Sequence, residues 1–471
     1  MSAVDTAWLR MDRPDNLMMI SGVMLLHDRI RFERLTATIE NRFLCFSRFH
    51  QRPVEVSGVS YWKTDPAFDL ERHVTRIALP GKAGTKELQT VVSRLASTPL
   101  DPEHPLWQFH LVDNFLGGSA LIARIHHCYA DGMALMQVLL SMADATRRRP
   151  PAMPARATRT ASADKNVSVV QLMQSLPGAS KLAMKIGTLL VEKGVAIWQD
   201  PAKAVALAVE GTAVATEIAR LALMGQDSPT RFKGKPGVAK RAAWAAPISL
   251  PDVKSVGKAL GASVNDVLLS CVAGALRAYL VRKGDPVKGV VIRALVPVNL
   301  RPIAQAGKLG NQFGLVFLDL PIGIEDPVER LYAIRANMNA LKTSYQPVLA
   351  LGLLAAMGAG PKMLQDQLLI ALARNASAVM TNVPGPQQPL YIAGGKIEAL
   401  MVWAPQSGDI GMGVSILSYD GAVQFGLLTD RGLCPDPERI SARFGPEFEK
   451  LRLAVPAAEP QPASFRPRHQ R

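Results

Sequence analysis

Cysteine is scarce in this chain of 471 residues. The four cysteines, Cys45, Cys128, Cys271 and Cys434, are scattered, and none has a Cys-x-x-Cys neighbour. This spacing indicates neither a disulfide framework nor a zinc knuckle, so a reducing compartment fits the composition best.

Long apolar runs and an N-terminal leader pattern are also lacking. No run reaches the roughly 20 uninterrupted apolar residues of a membrane-spanning helix, and the apolar stretch 348–360 is too short. The first residues, Met-Ser-Ala-Val-Asp-Thr-Ala-Trp, have neither the basic start nor the apolar centre of a signal peptide. We therefore expect a cytoplasmic protein, one that can still lie on the surface of a membrane.

Acidic residues are outnumbered by basic ones. The chain has 39 Asp and Glu against 54 Lys and Arg, which gives a net charge of +15. Such an excess favours anionic partners, such as lipid headgroups, nucleic acid or phosphorylated substrates. A surface bias that only improves solubility explains the charge equally well.

The apolar residues follow strand and helix periodicities in alternation. The pattern predicts strands at 17–26, 107–112, 120–125, 290–297, 315–320, 397–402 and 423–428, with a turn at Gly117-Gly118. It predicts helices at 32–43, after Asp131, and at 264–281, 327–341 and 364–373. Strands and helices interleave in both halves of the chain, which indicates an α/β or mixed-sheet fold flanked by helices.

Composition divides the chain into four segments. Residues 1–145 form one predicted half, 146–242 a linker with crossover helices, 243–455 a second half and 456–471 a disordered tail. Within the middle segment, Lys181, Lys185 and Lys193 alternate with leucine and isoleucine at helical spacing. Such a basic amphipathic helix either packs on the core of the protein or lies in a membrane interface.

The segment 124–132, Arg-Ile-His-His-Cys-Tyr-Ala-Asp-Gly, carries the clearest chemical signal. A neutral imidazole can accept and return a proton near pH 7, and neighbouring side chains on a strand point in opposite directions. We therefore expect one of His126 and His127 to face a cleft and the other to face the interior. Gly132 is expected where the backbone turns into the next helix.

Two other kinds of chemistry are weaker interpretations of the same segment. A metal site would need further ligands, and adjacent histidines that point apart do not supply them. Cys128 is a candidate thiol nucleophile, but it is equally a small buried side chain, since adjacency in sequence does not bring its sulfur to the imidazole.

The segment 126–132 resembles the HHxxxDG signature of the CoA-dependent acyltransferase superfamily. Further blocks occur in the order found in the bacterial wax ester synthase/diacylglycerol acyltransferase family, at 2–11, 105–107, 265–266, 297–301, 382–386 and 417–421. Six ordered blocks are more specific than the signature alone, and they extend over nearly the whole chain.

The resemblance implies an acyl-CoA-dependent O-acyltransferase built from two chloramphenicol-acetyltransferase-like halves with a tunnel between them. His127 would be the general base, and it would take the hydroxyl proton of a fatty alcohol or diacylglycerol while the oxygen attacks the acyl-CoA thioester. No acyl-enzyme and no cofactor is implied, since acyl-CoA is a co-substrate. His126 would support the loop and the orientation of its neighbour, with a secondary role in proton transfer as the alternative. Asp131 would hold the loop through an arginine, with Arg293 and Arg301 as candidates.

The other blocks allow both structural and functional interpretations. Asn265 and Asp266 begin an apolar helix, where they suit a cap, and Asn265 has the alternative of positioning substrate. Pro105, Leu106 and Trp107 precede a strand, where Trp107 would normally pack in a core; the resemblance suggests that they shape the acyl channel. No residue of these blocks stands out as the donor to an oxyanion.

The densest basic run has two interpretations as well. It is either a contact for CoA phosphates or anionic lipids or a solvated loop, and it consists of Arg231, Lys233, Lys235, Lys240 and Arg241. Nucleic-acid binding is disfavoured, because the run holds one aromatic residue and the chain shows no recognisable nucleic-acid-binding module.

We therefore expect an enzyme that makes wax ester, triacylglycerol or both, attached peripherally to the inner face of the membrane and to lipid inclusions. Transfer to another hydroxyl acceptor, such as a polyketide or a carrier-bound group, is the nearest alternative. A non-catalytic protein that coats lipid inclusions is the alternative from another class. The sequence does not constrain the oligomeric state.

Overall fold

The computed structural model describes residues 1–147, 220, 224–300, 309–311, 313–342, scattered positions between 344 and 365, 373–406 and 408–455. Most of the predicted linker segment (148–219 and 221–223), with its basic amphipathic helix, the tail from 456 and most of the predicted helix 364–373 lie outside these residues.

The described helices agree with the predicted periodicities where the two overlap. They are α1 (Ala3–Arg10), α2 (Phe32–Thr38), α3 (Leu70–His73), α4 (Thr85–Ala96), α5 (Gly132–Ser141), α6 (Leu250–Ala259), α7 (Val264–Arg282), α8 (Pro327–Lys342) and α9 (Glu438–Leu453). A π-helical turn (Ile39–Phe43) continues α2, and a 3₁₀ turn covers Ser47–His50.

The strands of the first part of the chain are β1 (Met19–Leu26), β2 (Gln51–Val56), β3 (Val59–Thr64), β4 (Val74–Ile77), β5 (Trp107–Phe115), β6 (Gly118–His126) and β7 (Ala143–Asp144). Those of the later part are β8 (Lys240–Trp244), β9 (Ile248–Ser249), β10 (Ile292–Asn299), β11 (Phe313–Leu320), β12 (Ala378–Pro384), β13 (Tyr391–Ile392), β14 (Gly395–Trp403), β15 (Met412–Tyr419) and β16 (Ala422–Asp430).

Two large sheets organise the fold. The first has the order β4-β5-β6-β1-β14-β13-β7, and the second has the order β11-β10-β12-β15-β16-β8, with β9 also on β16. Parallel and antiparallel pairs occur in both, as the predicted mixed-sheet class requires. A separate hairpin, β2–β3, completes the described strands.

The two halves are not separate in sequence. Strand β14 lies late in the chain, yet it pairs with β1 in the first sheet, with Ser21 opposite Trp403. Hydrogen bonds then join β14 to the second sheet, from the Val402 N–H to Ser415 and from Thr381 to the Val402 carbonyl. The boundary at 145/243 stays a prediction. The β13–β14 hairpin belongs by sequence to the predicted second half, but its strands lie in the first sheet.

Short polar side chains begin the helices near these sheets. Ser2 caps α1, Asp131 caps α5 and Ser263 caps α7, each by accepting from a backbone N–H three residues later. The β5–β6 turn differs from the prediction by one residue. Its left-handed positions are Leu116 (φ 46°) and Gly117 (φ 86°), and Gly118 already belongs to β6.

One described helix, α7, has the length and apolarity of a membrane span, with 72% of its apolar window buried inside the protein. It packs against α8, α9 and α6, and its side chains belong to a core with residues of β10, β15 and β16. Such burial is the pattern of a core helix. No other helix of the described residues passes the same test.

Candidate active site

The two adjacent histidines lie where β6 leaves the first sheet. His126 is the last residue of the strand, opposite Met19, and the backbone N–H of His127 donates to the Met18 carbonyl at 2.8 Å. The two imidazoles have different surroundings. That of His127 lines a cavity, whereas Nε2 of His126 lies 3.5 Å from a carboxylate oxygen of Asp12.

The cavity beside His127 has a volume of about 1040 Å³, counted to its open mouth. Helices α1 and α5, strands β1, β10, β11 and β12, and the end of β14 form its wall. The lining residues are mostly apolar: Trp8, Ile20, His127, Asp131, Gly132, Met133, Met136, Pro297, Phe313, Val379, Thr381, Asn382, Val383, Pro384, Val402, Ala404 and Pro405. An apolar wall with a few polar groups suits a hydrophobic ligand that must be oriented at one point.

Side chains from distant parts of the chain hold His127 in place. Trp8 stacks on the imidazole, with ring centroids 4.0 Å apart and an interplanar angle of 21°, and the Phe313 ring centroid lies 5.5 Å away. The amide of Asn311 donates to the His127 carbonyl at 3.0 Å and to the Asp5 carboxylate at 2.8 Å. The His127 imidazole is therefore positioned by contacts to α1 and to the start of β11.

Burial lowers the pKa of His127 from its ordinary 6.5 to about 3, because the apolar site disfavours the imidazolium, and nearby His126 lowers it further. Its Nδ1 is buried without a hydrogen-bond partner. The ring is therefore neutral at pH 7 and able to accept a proton. The protonated ring becomes favourable only when negative charge develops beside it.

His126 stabilises the turn that follows β6. Its Nδ1 accepts from the backbone N–H of Cys128 at 3.2 Å. Asp12, which lies near its Nε2, accepts from the Met18 N–H at 2.6 Å. These contacts tie the end of β6 to the loop before β1, which supports a positioning role for His126.

Asp131 and Gly132 both line the cavity. Asp131 accepts from the Ala134 N–H at 2.9 Å as the N-cap of α5, so it holds the loop through the helix start. Gly132 is the first residue of α5, so it lies where the backbone turns into the helix, as expected, and its φ is outside the left-handed region. A Cβ there would meet no atom within 4 Å, so the glycine leaves space open at the cavity wall.

Arg293, one of the two candidate partners of Asp131, has other partners. Arg293 donates to the Asp319 carboxylate at 2.7 Å and to the carbonyls of Gly225 and Asn375. Its guanidinium is thus occupied at the edge of the second sheet. Arg301 lies outside the described residues.

Cys128 does not have the surroundings of a thiol nucleophile. Cys128 is fully buried, and burial raises the pKa of its thiol well above the ordinary value, which disfavours the reactive thiolate. Within the described residues, no three His, Cys, Asp or Glu side chains come together as metal ligands.

Asn265 and Asp266 have different surroundings. Asp266 forms a capping box with Ser263, because its carboxylate accepts from the Ser263 N–H at 2.8 Å while the Ser263 hydroxyl accepts from the Asp266 N–H. Asn265 accepts from the amide of Asn382 at 3.0 Å, and Asn382 lines the cavity. Asn265 thus reaches the cavity through one intermediate side chain.

The block 105–107 lies elsewhere. None of Pro105, Leu106 and Trp107 is among the described residues that line the cavity at His127. Trp107 is fully buried, with its Nε1 donating to the Phe49 carbonyl at 2.8 Å. The Leu106 N–H donates to the Tyr129 hydroxyl at 2.9 Å, so the block supports the histidine loop from behind. The structure gives no support to its predicted channel role.

Local carboxylates neutralise much of the basic run. Arg231 pairs with Asp285, Lys233 with Asp227 at 2.5 Å, and the buried Lys240 with Asp430 at 3.2 Å. Lys235 and Arg241 are exposed. The five cations therefore do not form a single phosphate site, because three of them already have buried or half-buried anionic partners.

Comparison with protein families agrees with this geometry. The wax ester synthase/diacylglycerol acyltransferase catalytic domain matches residues 1–268, and the corresponding C-terminal domain matches residues 309–452. The chain belongs to this family. It is therefore an O-acyltransferase.

Relatives and solved structures agree with the assignment. A probable diacylglycerol O-acyltransferase of Mycobacterium tuberculosis, tgs2, is 30% identical over 440 residues, which cover 90% of each chain. A second, tgs1, is 28% identical over 87% of this chain and 85% of its own. The family's enzyme from Marinobacter aquaeolei VT8 has the same fold, with a TM-score of 0.67, 23% identity and coverage of 96% and 98%.

A condensation domain of the calcium-dependent antibiotic synthetase shares the fold as well, with a TM-score of 0.58 and 14% identity over 97% of this chain and 96% of its own. The predicted fold, with its chloramphenicol-acetyltransferase-like halves, is thus confirmed.

Several residues at the site were missed in the sequence. Trp8 lies in the first resembling block, and a tryptophan in a polar N-terminal helix is the signal that points to it. Asn311, Phe313 and Thr381 carry no such signal, because only the packing of the second sheet against the first brings them to His127.

Proposed function

We propose that this enzyme transfers the acyl group of a long-chain acyl-CoA to a fatty alcohol, to diacylglycerol or to both, with His127 as general base. The observation that carries the proposal is the neutral imidazole of His127 on the wall of an apolar cavity. Membership of the family supplies the reaction class, and the names of the relatives point to diacylglycerol as an acceptor.

The proposed reaction needs one proton acceptor and no covalent enzyme intermediate. The imidazole takes the hydroxyl proton as the alcohol oxygen bonds to the thioester carbonyl carbon, which gives a tetrahedral oxyanion. Collapse of this intermediate breaks the carbon–sulfur bond, and the imidazolium returns its proton to the CoA thiolate. The low pKa of the ring favours this return, since the imidazolium is unstable once the negative charge has left.

The cavity wall suggests where the apolar parts of the substrates lie. Met133 and Met136 of α5 and Val379 and Val383 of β12 line the same space as His127. Alkyl chains gain free energy by leaving water for such a wall, at about 25 cal/mol per Å². We propose that this surface holds acyl or alcohol chains, and that Asn382 orients the polar end of a substrate.

A thiol-release assay tests the proposal. Purified enzyme would receive palmitoyl-CoA with either hexadecanol or dioleoylglycerol, and free CoA would be followed together with the ester product. We expect turnover with at least one acceptor. Absence of ester with both, in a protein shown to be folded, would contradict the lipid assignment and favour another hydroxyl acceptor.

We also propose that the enzyme works at the cytoplasmic face of the membrane and on lipid inclusions. The net charge of +15 and the low solubility of both acceptors support this location. A protein that only coats inclusions would have the same location without turnover, so the thiol-release assay separates these two functions.

A further inference from the structure

The β2–β3 hairpin carries an unusual concentration of exposed apolar side chains. Among the described residues, nine large apolar side chains are highly exposed, and three of them, Val56 (60%), Val59 (49%) and Tyr61 (49%), lie within six positions. The other six are scattered over the surface from 116 to 453. A cluster at one tip needs an explanation that isolated exposed residues do not.

Strand register places these side chains on one face. Val56 is opposite Val59, and Val54 is opposite Tyr61, so cross-strand partners share the outer face of the hairpin. The turn between them is tight, with left-handed Ser57 and Gly58. The result is a narrow, preformed apolar tip on a hairpin that belongs to neither large sheet.

Cations flank this tip. Lys63, exposed on the same face, is opposite Arg52, and the guanidinium of Arg10 donates to the Gly58 carbonyl at 2.8 Å. Carboxylates at the hairpin include Glu55, on the opposite face, and Glu103, which pairs with Arg52 at 3.1 Å. Asp65, directly after β3, is buried and pairs with His104 at 3.0 Å. An apolar tip with tyrosine and basic residues behind it has the chemistry of a membrane-interface contact.

The inner face of the hairpin connects to the active site. Trp62 packs 4.8 Å from the Tyr129 ring, and the Tyr129 hydroxyl donates to the Gln51 carbonyl at 2.5 Å. Tyr129 belongs to the histidine loop, and Arg10 ends the helix whose Trp8 stacks on His127. A partner surface that binds the hairpin would therefore lie next to the elements that position His127.

We propose that the outer face of the β2–β3 hairpin inserts into the headgroup region of an anionic lipid surface and so docks the enzyme where its acceptors dissolve. This inference rests on the proposed function for its choice of a lipid partner. The apolar side chains supply the insertion, and Lys63 supplies the preference for negative headgroups.

Vesicle flotation of the full chain tests the proposal. The vesicles would be phosphatidylcholine alone or phosphatidylcholine mixed with phosphatidylglycerol. A triple variant, Val56→Ser, Val59→Ser and Tyr61→Ser, should lower the affinity for the mixed vesicles roughly tenfold or more, because it removes the apolar area available for insertion. Lys63→Gln should weaken binding to the mixed vesicles by about fivefold and leave binding to phosphatidylcholine unchanged.

The chain offers a matched control. The triple variant Val238→Ser, Val281→Ser and Tyr332→Ser changes the same residue types at similar exposures of 53%, 53% and 46%. It should float as the unsubstituted enzyme does. Thermal unfolding of both triple variants would show that each is folded.

Three results would overturn the docking surface: wild-type enzyme that fails to float with either vesicle, a hairpin variant that floats as well as wild type, or equal losses in both triple variants. A wild-type dimer that the hairpin substitutions convert to monomer, with flotation unchanged, would identify a contact between copies instead. Turnover with detergent-dispersed substrates tests the proposed function separately from the docking surface. The hairpin variant should turn these substrates over as wild type does. A wild-type enzyme that fails to turn them over would contradict the proposed acyl transfer and leave the docking surface unaffected.

Discussion

At the scale of single residues, the neighbours of His127 keep the proposed base neutral. An exposed histidine would be partly protonated at pH 6.5, whereas burial beside Trp8 and Phe313 keeps the His127 ring neutral. The Trp8 Nε1 is itself buried without a hydrogen-bond partner, so its contribution is the flat contact with the imidazole. Trp8 is therefore a positioning residue in this account.

Replacing Trp8 tests this role. Trp8→Leu should lower kcat by about tenfold, because an aromatic stack contributes up to about 1.5 kcal/mol and the imidazole would lose its fixed orientation. KM should change less. Trp8→Phe should retain most of the activity, since no hydrogen bond is lost. Steady-state kinetics with both variants check this, and a purely structural role would instead reduce the amount of folded enzyme at unchanged kcat.

At the scale of elements, helix α7 connects the core that it shares with β10, β15 and β16 to the cavity. Its N-terminal turn holds Asn265 against Asn382, and the capping box of Ser263 and Asp266 fixes that turn. Ser263 and Asp266 have the spacing of a capping box in the sequence, so the N-cap was open to prediction. The contact with Asn382 was not, because it joins positions 117 residues apart.

Loss of the Ser263 N-cap should lower the stability of the protein more than its activity. Ser263→Ala should lower the free energy of unfolding by about 1 kcal/mol, because the Asp266 N–H loses its acceptor. Urea unfolding would measure this loss. We expect kcat to fall by a smaller factor than in a His127 variant; a loss of activity as large as that would mean that the helix start itself takes part in the reaction.

The same scale shows what local patterns can and cannot give. Strand and helix periodicity predicted strands β1, β5, β6, β10, β11, β14 and β16 and helices α2, α5, α7 and α8, because these signals are local. The segment 126–132 predicted histidines at a strand end for the same reason. The pairing of β14 with β1 is not local, and it determines that Ala404 and Pro405 close the cavity. That Gly132 lines the cavity was not open to local prediction either, since the space in front of it belongs to the tertiary structure.

At the scale of the whole molecule, buried neutral histidines make stability depend on pH. Burial lowers the pKa of His110 to about 4 and that of His127 to about 3, whereas both regain about 6.5 on unfolding. Below about pH 6.5 the unfolded chain therefore binds more protons than the folded one. Stability should be complete above that pH and should fall as the pH drops toward the folded-state values.

His110 allows this linkage to be measured away from the cavity. Between about pH 7 and about pH 4.5 it should account for a loss of roughly 2 to 3 kcal/mol in the free energy of unfolding. His110→Gln should make the pH dependence shallower by that amount, whatever its effect at pH 7. Urea unfolding at the two pH values checks this, and an unchanged slope would contradict a buried neutral His110.

The most direct test of the central claim is the rate of CoA release by a His127→Gln variant, with palmitoyl-CoA and the acceptor that the wild type prefers. Glutamine fills much of the same space but cannot accept the hydroxyl proton. The account predicts that kcat falls by about 10² to 10⁴ while the variant stays folded. A folded His127→Gln enzyme that releases CoA and forms ester at the wild-type rate would contradict it.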